Sequence, residues 1–269
     1  MHKINKLLTG LKLLITKPYL INKVIDDESI HHEKIQTKYK QYHNGLPLVD
    51  LTTVLPSFNE TVSPYAFLGG GSLITDLALL KGLAKQHHNC FYFEIGTWRG
   101  ESVSNVAEVT PNCYTLNMPD EALKQLGYSD EYVNQQEFFS KNISSITHLK
   151  GDSKSFDYSP YYGKYDLVFV DGDHHYDSVL NDTKIAFKLL KDENSIIVWH
   201  DYHNHTEAIR WDVLRGILDG TPKTAINNIY HISNTMCAIY SKKPLAVHPF
   251  KKMLTPNKVF EVKIEAKSI

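Results

Sequence analysis

The stretch Phe91-Tyr-Phe-Glu-Ile-Gly-Thr-Trp-Arg-Gly100 constrains this chain more than any other. A short apolar run reaches a carboxylate at Glu94 and breaks at Gly96 and Gly100. Glu101-Ser-Val-Ser-Asn-Val-Ala107 then reads as the first turns of a helix. Strand, glycine turn and helix in that order make the first half of a nucleotide-binding βα unit. Glycine lacks a Cβ and tolerates positive φ, so backbone there can approach a ligand closely. The helix N-terminus offers free N–H groups to the same ligand. Gly-x-x-x-Gly after a strand also occurs as plain turn chemistry, so the remainder of the chain has to decide between the two.

Further along, apolar runs and amphipathic stretches alternate. Ser72 is placed as an N-cap, with Asp76 favouring the helix dipole and Leu73, Leu77, Leu80 and Leu83 at helical spacing. Strands are expected over 90–95, 113–116, 146–150, 165–170 and 195–199, with helices over 101–109, 178–191 and 206–218. Residues 229–232 and 236–240 read as a closing β-hairpin. This predicts an α/β fold: a doubly wound, Rossmann-like, mostly parallel seven-stranded sheet with a closing antiparallel hairpin. Ligands of such sheets sit outside the carboxyl ends of the strands, near the switch in strand order. That rule singles out Glu94, Asn117, Asp152, Asp171 and Asp201. The domain is expected over 65–245. A basic helical extension and irregular connector fill 1–64, and a tail with one further strand near 259–264 fills 246–269.

Composition narrows the function classes. With 42% hydrophobic and 22% charged residues, 269 residues hold one large domain with extensions. A formal net charge of -1 argues against nucleic acid as a partner. Cys90, Cys113 and Cys237 are widely spaced and give neither a disulfide framework nor a C-x-x-C zinc signature, so a cytoplasmic location is the simplest. No run approaches the roughly 20 apolar residues that span a bilayer. Residues 1–23 carry Lys3, Lys6, Lys12, Lys17 and Lys23, with no acidic residue before Asp26, and Lys12 interrupts the leucines that a secretory signal would need unbroken. Such a basic amphipathic helix suits peripheral contact with an anionic membrane, or packing on its own chain or on a second copy in a homo-oligomer.

Three motifs together carry a family resemblance: Phe93-Glu-Ile-Gly-Thr-Trp-Arg-Gly-Glu-Ser102, Tyr165-Asp-Leu-Val-Phe-Val-Asp-Gly-Asp-His-His-Tyr176 and Ile197-Val-Trp-His-Asp-Tyr202. In order and spacing they resemble the class I S-adenosylmethionine-dependent methyltransferases, in the branch of catechol-type and macrolide-sugar O-methyltransferases. The resemblance covers roughly residues 65–241. It implies that Glu94, Gly96, Thr97 and Gly100 hold the methionine part of S-adenosylmethionine. Asn117 stands where the ribose carboxylate usually is, with Asp120 as a substitute, and Asp152 with Ser153 receives the adenine amine. In metal-dependent members the carboxylates matching Asp171 and Asp201 hold Mg2+, a hard ion suited to oxygen ligands; Asp171 otherwise bonds the cofactor. Tyr202 and His200 depart from the residues that accompany the metal in those enzymes.

If the acceptor is a hydroxyl its proton must leave, and histidine suits the task because its ordinary pKa lies near neutrality. His174 is the first candidate base and His200 the second. Arg99, Arg210 and Trp211 are candidates for the acceptor site, and Tyr158, Tyr161 and Tyr162 for a lid or an edge cover. The resemblance thus implies O-methylation of a small-molecule or sugar hydroxyl. A non-catalytic cofactor-binding or scaffold protein on the same fold is the alternative. An NAD-dependent oxidoreductase fits less well, because the first turn lacks Gly-x-Gly-x-x-Gly.

Overall fold

The computed structural model describes residues 3–21, 28–205, 208–248 and 255–268. An isolated helix α1 (Lys3–Thr16) precedes α2 (Glu28–Lys38), the short strand β1 (Leu48–Val49) and a single turn α3 (Leu51–Val54). Then come α4 (Ile74–Lys85), β2 (Phe91–Ile95), α5 (Glu101–Ala107), β3 (Asn112–Asn117), α6 (Asp120–Gln125), α7 (Asp130–Asn134) and β4 (Ile146–Lys150). The second half runs β5 (Leu167–Val170), α8 (Tyr176–Leu189), β6 (Ile196–Trp199), β7 (His203–His205), β8 (Ala208–Ile209), α9 (Trp211–Gly220), β9 (Ile229–Ile232) and β10 (Ala238–Ser241).

The sheet order is β1-β9-β10-β6-β5-β2-β3-β4. Strands β6, β5, β2, β3 and β4 are mutually parallel, and β10 runs antiparallel between β6 and β9. The seven expected strands are all present, and the connector adds an eighth, β1, parallel to β9. From β2 the chain steps outward to β3 and β4, then returns to place β5 on the other side of β2. That reversal opens a crevice at the carboxyl ends of β2 and β5.

Alternation along each strand feeds two cores. Phe93, Ile95, Val168, Val170, Ile197 and Trp199 face α8 and α9, while Tyr92, Leu167, Phe169 and Val198 face α4 and α5. Much of the expected connector belongs to this body. Ile35, Leu46, Val49 and Leu51 are fully buried, the Tyr39 hydroxyl donates to Leu218 O at 3.2 Å, and Leu46 N–H donates to the Tyr202 hydroxyl at 3.0 Å.

Two expectations shift. The helix expected from Thr206 begins at Trp211, because 203–205 and 208–209 form a bulged hairpin and Arg210 N–H is tied to Tyr202 O at 2.9 Å; Thr206 itself lies outside the described residues. Residues 259–264 have no ladder partner and run without secondary structure, exposed for the most part. The tail is held instead by Lys258, whose ammonium lies 2.7 Å from Asp50. Helix α1 buries none of its residues. No helix among the described residues is long and apolar enough to cross a membrane.

Candidate active site

The crevice is a cleft of about 810 Å³, lined by the ends of β2–β6 and the loops that follow them. Gly96, Thr97, Gly100, Asn117, Asp152, Ser153, Asp171, His174, His200 and Asp201 all line it. The fold therefore brings these ten expected site residues together, with Arg99 and Arg210 beside them, and leaves Glu94, Asp120, Trp211 and the candidate lid tyrosines outside the lining.

Glycine is required at the floor. Gly96 has φ +100°, and a Cβ there would stand 2.0 Å from the backbone oxygen of Asp171. Gly100, at φ +80°, would put one 2.2 Å from the Ser140 hydroxyl. Between them Trp98 is left-handed at φ +46°, a costly conformation for an aromatic residue, and its buried indole N–H has no partner. Its ring packs against Tyr132 with centroids 4.4 Å apart. An unpaired donor on a strained turn, in the wall of a cleft, is available to a ligand.

Glu94 lies one residue inside β2, on the face of Tyr92, and so points beneath α5 instead of into the cleft. It accepts from the Tyr92 hydroxyl at 2.5 Å and from the Thr115 hydroxyl at 3.1 Å. Complete burial raises its pKa to about 8. The Thr115 hydroxyl in turn meets that of Thr97 at 2.6 Å. Asn117 donates its amide to Gln136 Oε1 at 2.7 Å, which fixes the side chain at the cleft edge. Asp152 accepts Lys154 N–H at 3.0 Å in a tight turn. Asp120 stands 3.6 Å from Lys150 and does not line the cleft.

The ends of β5 and β6 differ in kind. His200 is buried, with Nε2 3.1 Å from Asp76 and Nδ1 3.0 Å from Asp171 and 3.7 Å from Asp201. The Nδ1 contact lies off the hydrogen-bonding axis, so that atom has no in-line partner. Burial opposes charge on this ring, but Asp171, Asp201 and Asp76 outweigh it and hold its pKa well above the ordinary value. Burial raises the pKa of Asp171, with His200 opposing. Burial also works against Asp201, yet His200 and Arg210, the latter 3.2 Å away, bring its pKa down to about 2. Asp201 sits in the left-handed region at φ +56°, which aims its carboxylate back at the cluster. His174 lies on the open rim; residual burial and the charge of Arg210 lower its pKa. Asp173, not His174, braces the start of α8, by accepting from the Ser178 hydroxyl at 2.6 Å.

Asp171, His200 and Asp201 offer donor atoms all within 4.8 Å of one another. Nδ1 turned toward Asp171 and Asp201, with Nε2 tied to a third carboxylate, is the arrangement of a metal-ligating histidine oriented from behind. With a neutral imidazole the formal charge of Asp76, Asp171, Asp201 and Arg210 is -2, which one divalent cation cancels. The residues fit such a cation. Two oxygens and a nitrogen suit a borderline ion such as Fe2+, Co2+ or Zn2+ better than Mg2+, which prefers oxygen donors.

Asp76 was not foreseen as a site residue. Its signal was an acidic side chain on the leucine stripe of α4, three residues after Leu73 and four before Leu80. Tyr128, Tyr132 and Gln136, from the segment of short helices between β3 and β4, also line the cleft, and its polar composition gives no reason to place them there. Arg99 clamps the glycine turn to Glu101 at 3.1 Å and to Gly69 O at 3.0 Å. Trp211 stacks on His32 at 3.7 Å, and Tyr158 is buried against Phe93, so neither reaches the cleft lining.

Residues 93–202 match a family described as "Methyltransferase domain". An uncharacterized protein, R132, of Acanthamoeba polyphaga mimivirus is 29% identical over 133 residues, 45% of this chain and 53% of that protein. The chain thus spans about half the length of the curated relative it matches. Among solved structures, an O-methyltransferase from Bacillus cereus in complex with SAH is similar over 84% of this chain and 95% of that one, at 14% identity and a TM-score of 0.41. TomG of Streptomyces achromogenes, an O-methyltransferase of tomaymycin synthesis in complex with SAM, is similar over 63% and 79%, at 16% identity and a TM-score of 0.41. The matched stretch, residues 93–202, runs from β2 to just past β6, and its motifs lie where β2, β5 and β6 meet the cleft.

Proposed function

We propose that the protein transfers the methyl group of S-adenosylmethionine to a hydroxyl of a small molecule or sugar. One observation carries the reading: a glycine-floored pocket faces, across one cleft, an exposed histidine kept neutral and a charged cluster able to hold an acceptor oxygen. In the reaction the S–CH3 bond breaks, an O–CH3 bond forms and the hydroxyl proton passes to His174. S-adenosylhomocysteine leaves. Much of the rate comes from aligning sulfur, methyl and oxygen, which the two walls do by shape.

His174 suits the base because burial, with Arg210 adding to it, lowers its pKa and favours the neutral ring. His200 does not serve as one. Without a metal it carries a proton between Asp76 and Asp171, and with one its free nitrogen is taken. Asp171, His200 and Asp201 would hold the cation, which would supply Lewis acidity to the acceptor oxygen. The resemblance implied Mg2+; His200 in the donor set favours an ion that accepts imidazole.

Calorimetric titration with S-adenosylhomocysteine, followed by titration with CoCl2 and MgCl2, tests both parts. Micromolar S-adenosylhomocysteine binding, with Co2+ bound at least tenfold more tightly than Mg2+, is expected. A folded protein that ignores S-adenosylhomocysteine overturns the methyltransferase reading in favour of a scaffold. Equal affinity for the two metals overturns the role of His200 alone.

A further inference from the structure

We infer that helix α1 is a docking surface for an anionic lipid bilayer. On a helix of 3.6 residues per turn, Ile4, Leu7, Leu8, Leu11, Leu14 and Ile15 fall within roughly a third of the circumference. Only Leu13 among the large apolar residues falls outside this stripe. Ile4, Leu7, Leu8 and Ile15 are each at least 60% exposed, and no residue of the helix is buried, so the described residues leave the stripe uncovered. Lys3 and Lys12 border the stripe on its two edges, and Lys6 stands behind. Residues 3–21 contain no acidic side chain.

These facts select the occupant. A 14-residue helix with a central glycine and no tertiary packing is marginal in water, so it needs a surface that buries its stripe. A second copy would bring lysine-bordered edges against lysine-bordered edges with no acidic counterpart, which opposes pairing. A bilayer with anionic headgroups accepts both features: the leucines enter the acyl boundary and the lysines extend to the phosphates. Tyr19, 66% exposed just beyond the helix, is a residue type that favours that interface. Lys23, expected as part of this segment, lies outside the described residues.

The test uses the full chain and vesicles of phosphatidylcholine with and without phosphatidylglycerol. Co-sedimentation with the anionic vesicles only, lost at high salt, is expected. Leu7→Glu/Leu11→Glu should abolish it, and Lys3→Gln or Lys12→Gln should each weaken it about fivefold. Because the helix buries nothing, these variants keep the wild-type melting temperature and S-adenosylhomocysteine affinity. Equal sedimentation with neutral vesicles, none with either, or full binding by the double leucine variant overturns the proposal. So does a dimer in light scattering that Leu7→Glu/Leu11→Glu converts to a monomer without any vesicle binding by the wild type.

Discussion

The two walls of the cleft are made of different materials. At the ends of β2, β3 and β4 the lining is largely backbone and neutral side chain, Gly96, Thr97, Gly100, Asn117 and Ser153, with Arg99 paired to Glu101, Asp152 beside Lys154, and Glu94 turned beneath the sheet. At the ends of β5 and β6, Asp171, His174, His200, Asp201 and Arg210 converge, and Asp76 reaches in from α4. One wall works by leaving room and the other by placing charge. The first should therefore tolerate loss of charge but not added atoms, and the second the reverse.

The largest effect should come from adding an atom to the first wall. In Gly96→Ala the new Cβ meets Asp171 O, and the left-handed φ penalises any side chain. Roughly 2–5 kcal/mol of destabilisation is expected, combining backbone strain with overpacking. S-adenosylhomocysteine affinity should fall at least about 100-fold for every ~3 kcal/mol that the pocket, not the whole fold, absorbs. Thermal unfolding and calorimetry measure the two separately. A variant with normal affinity would break the distinction between the walls.

On the second wall, His174→Ala removes a group without crowding any neighbour. A fall in kcat of about 10²- to 10³-fold is expected, with S-adenosylhomocysteine affinity unchanged. The pH profile gives the sign. His174 is depressed below its ordinary pKa by burial and by Arg210, and only the neutral ring takes a proton. Activity should rise with pH through that depressed value and level off above it. Arg210→Ala removes the opposing cation, so the acid limb should move to higher pH. A limb that stays in place would mean that another group is the base.

How much of this was legible in the sequence follows from the same contrast. The first wall follows from local rules: a strand, two glycines and a helix start, all within ten residues. The carboxylates of the second were legible because each follows a buried strand. What local rules miss is convergence. Asp76 and His200 are 124 residues apart and meet only because α4 packs against the end of β6. Glu94 was misplaced for another reason. Its strand ends at Ile95 as expected, but a strand end does not say which face a side chain takes, and alternation puts Glu94 on the face of Tyr92 beneath α5. The connector before α4 was underread because its polar composition hides single buried residues, such as Ile35 and Leu46, that dock on α9 and Tyr202.

Glu94→Gln gives the smallest effect and the sharpest test of the first wall. If Glu94 held the cofactor by its charge, neutralising it would cost affinity; if the wall works by shape, affinity should change by no more than about twofold. The glutamine oxygen can still accept from the Tyr92 hydroxyl, and its amide can donate to the Thr115 hydroxyl, which rotates to suit. Stability supplies an independent readout. Burial lifts the Glu94 pKa from 4.5 to about 8, so between those values the folded protein holds a proton that the unfolded chain has released. Its contribution to stability therefore falls as pH rises through that window. Glutamine has no proton to lose. The melting temperature of the variant should gain on the wild type as pH climbs toward 8, while S-adenosylhomocysteine binds both alike. Parallel stability profiles together with a lost ligand would put the charge of Glu94 back into the cofactor wall.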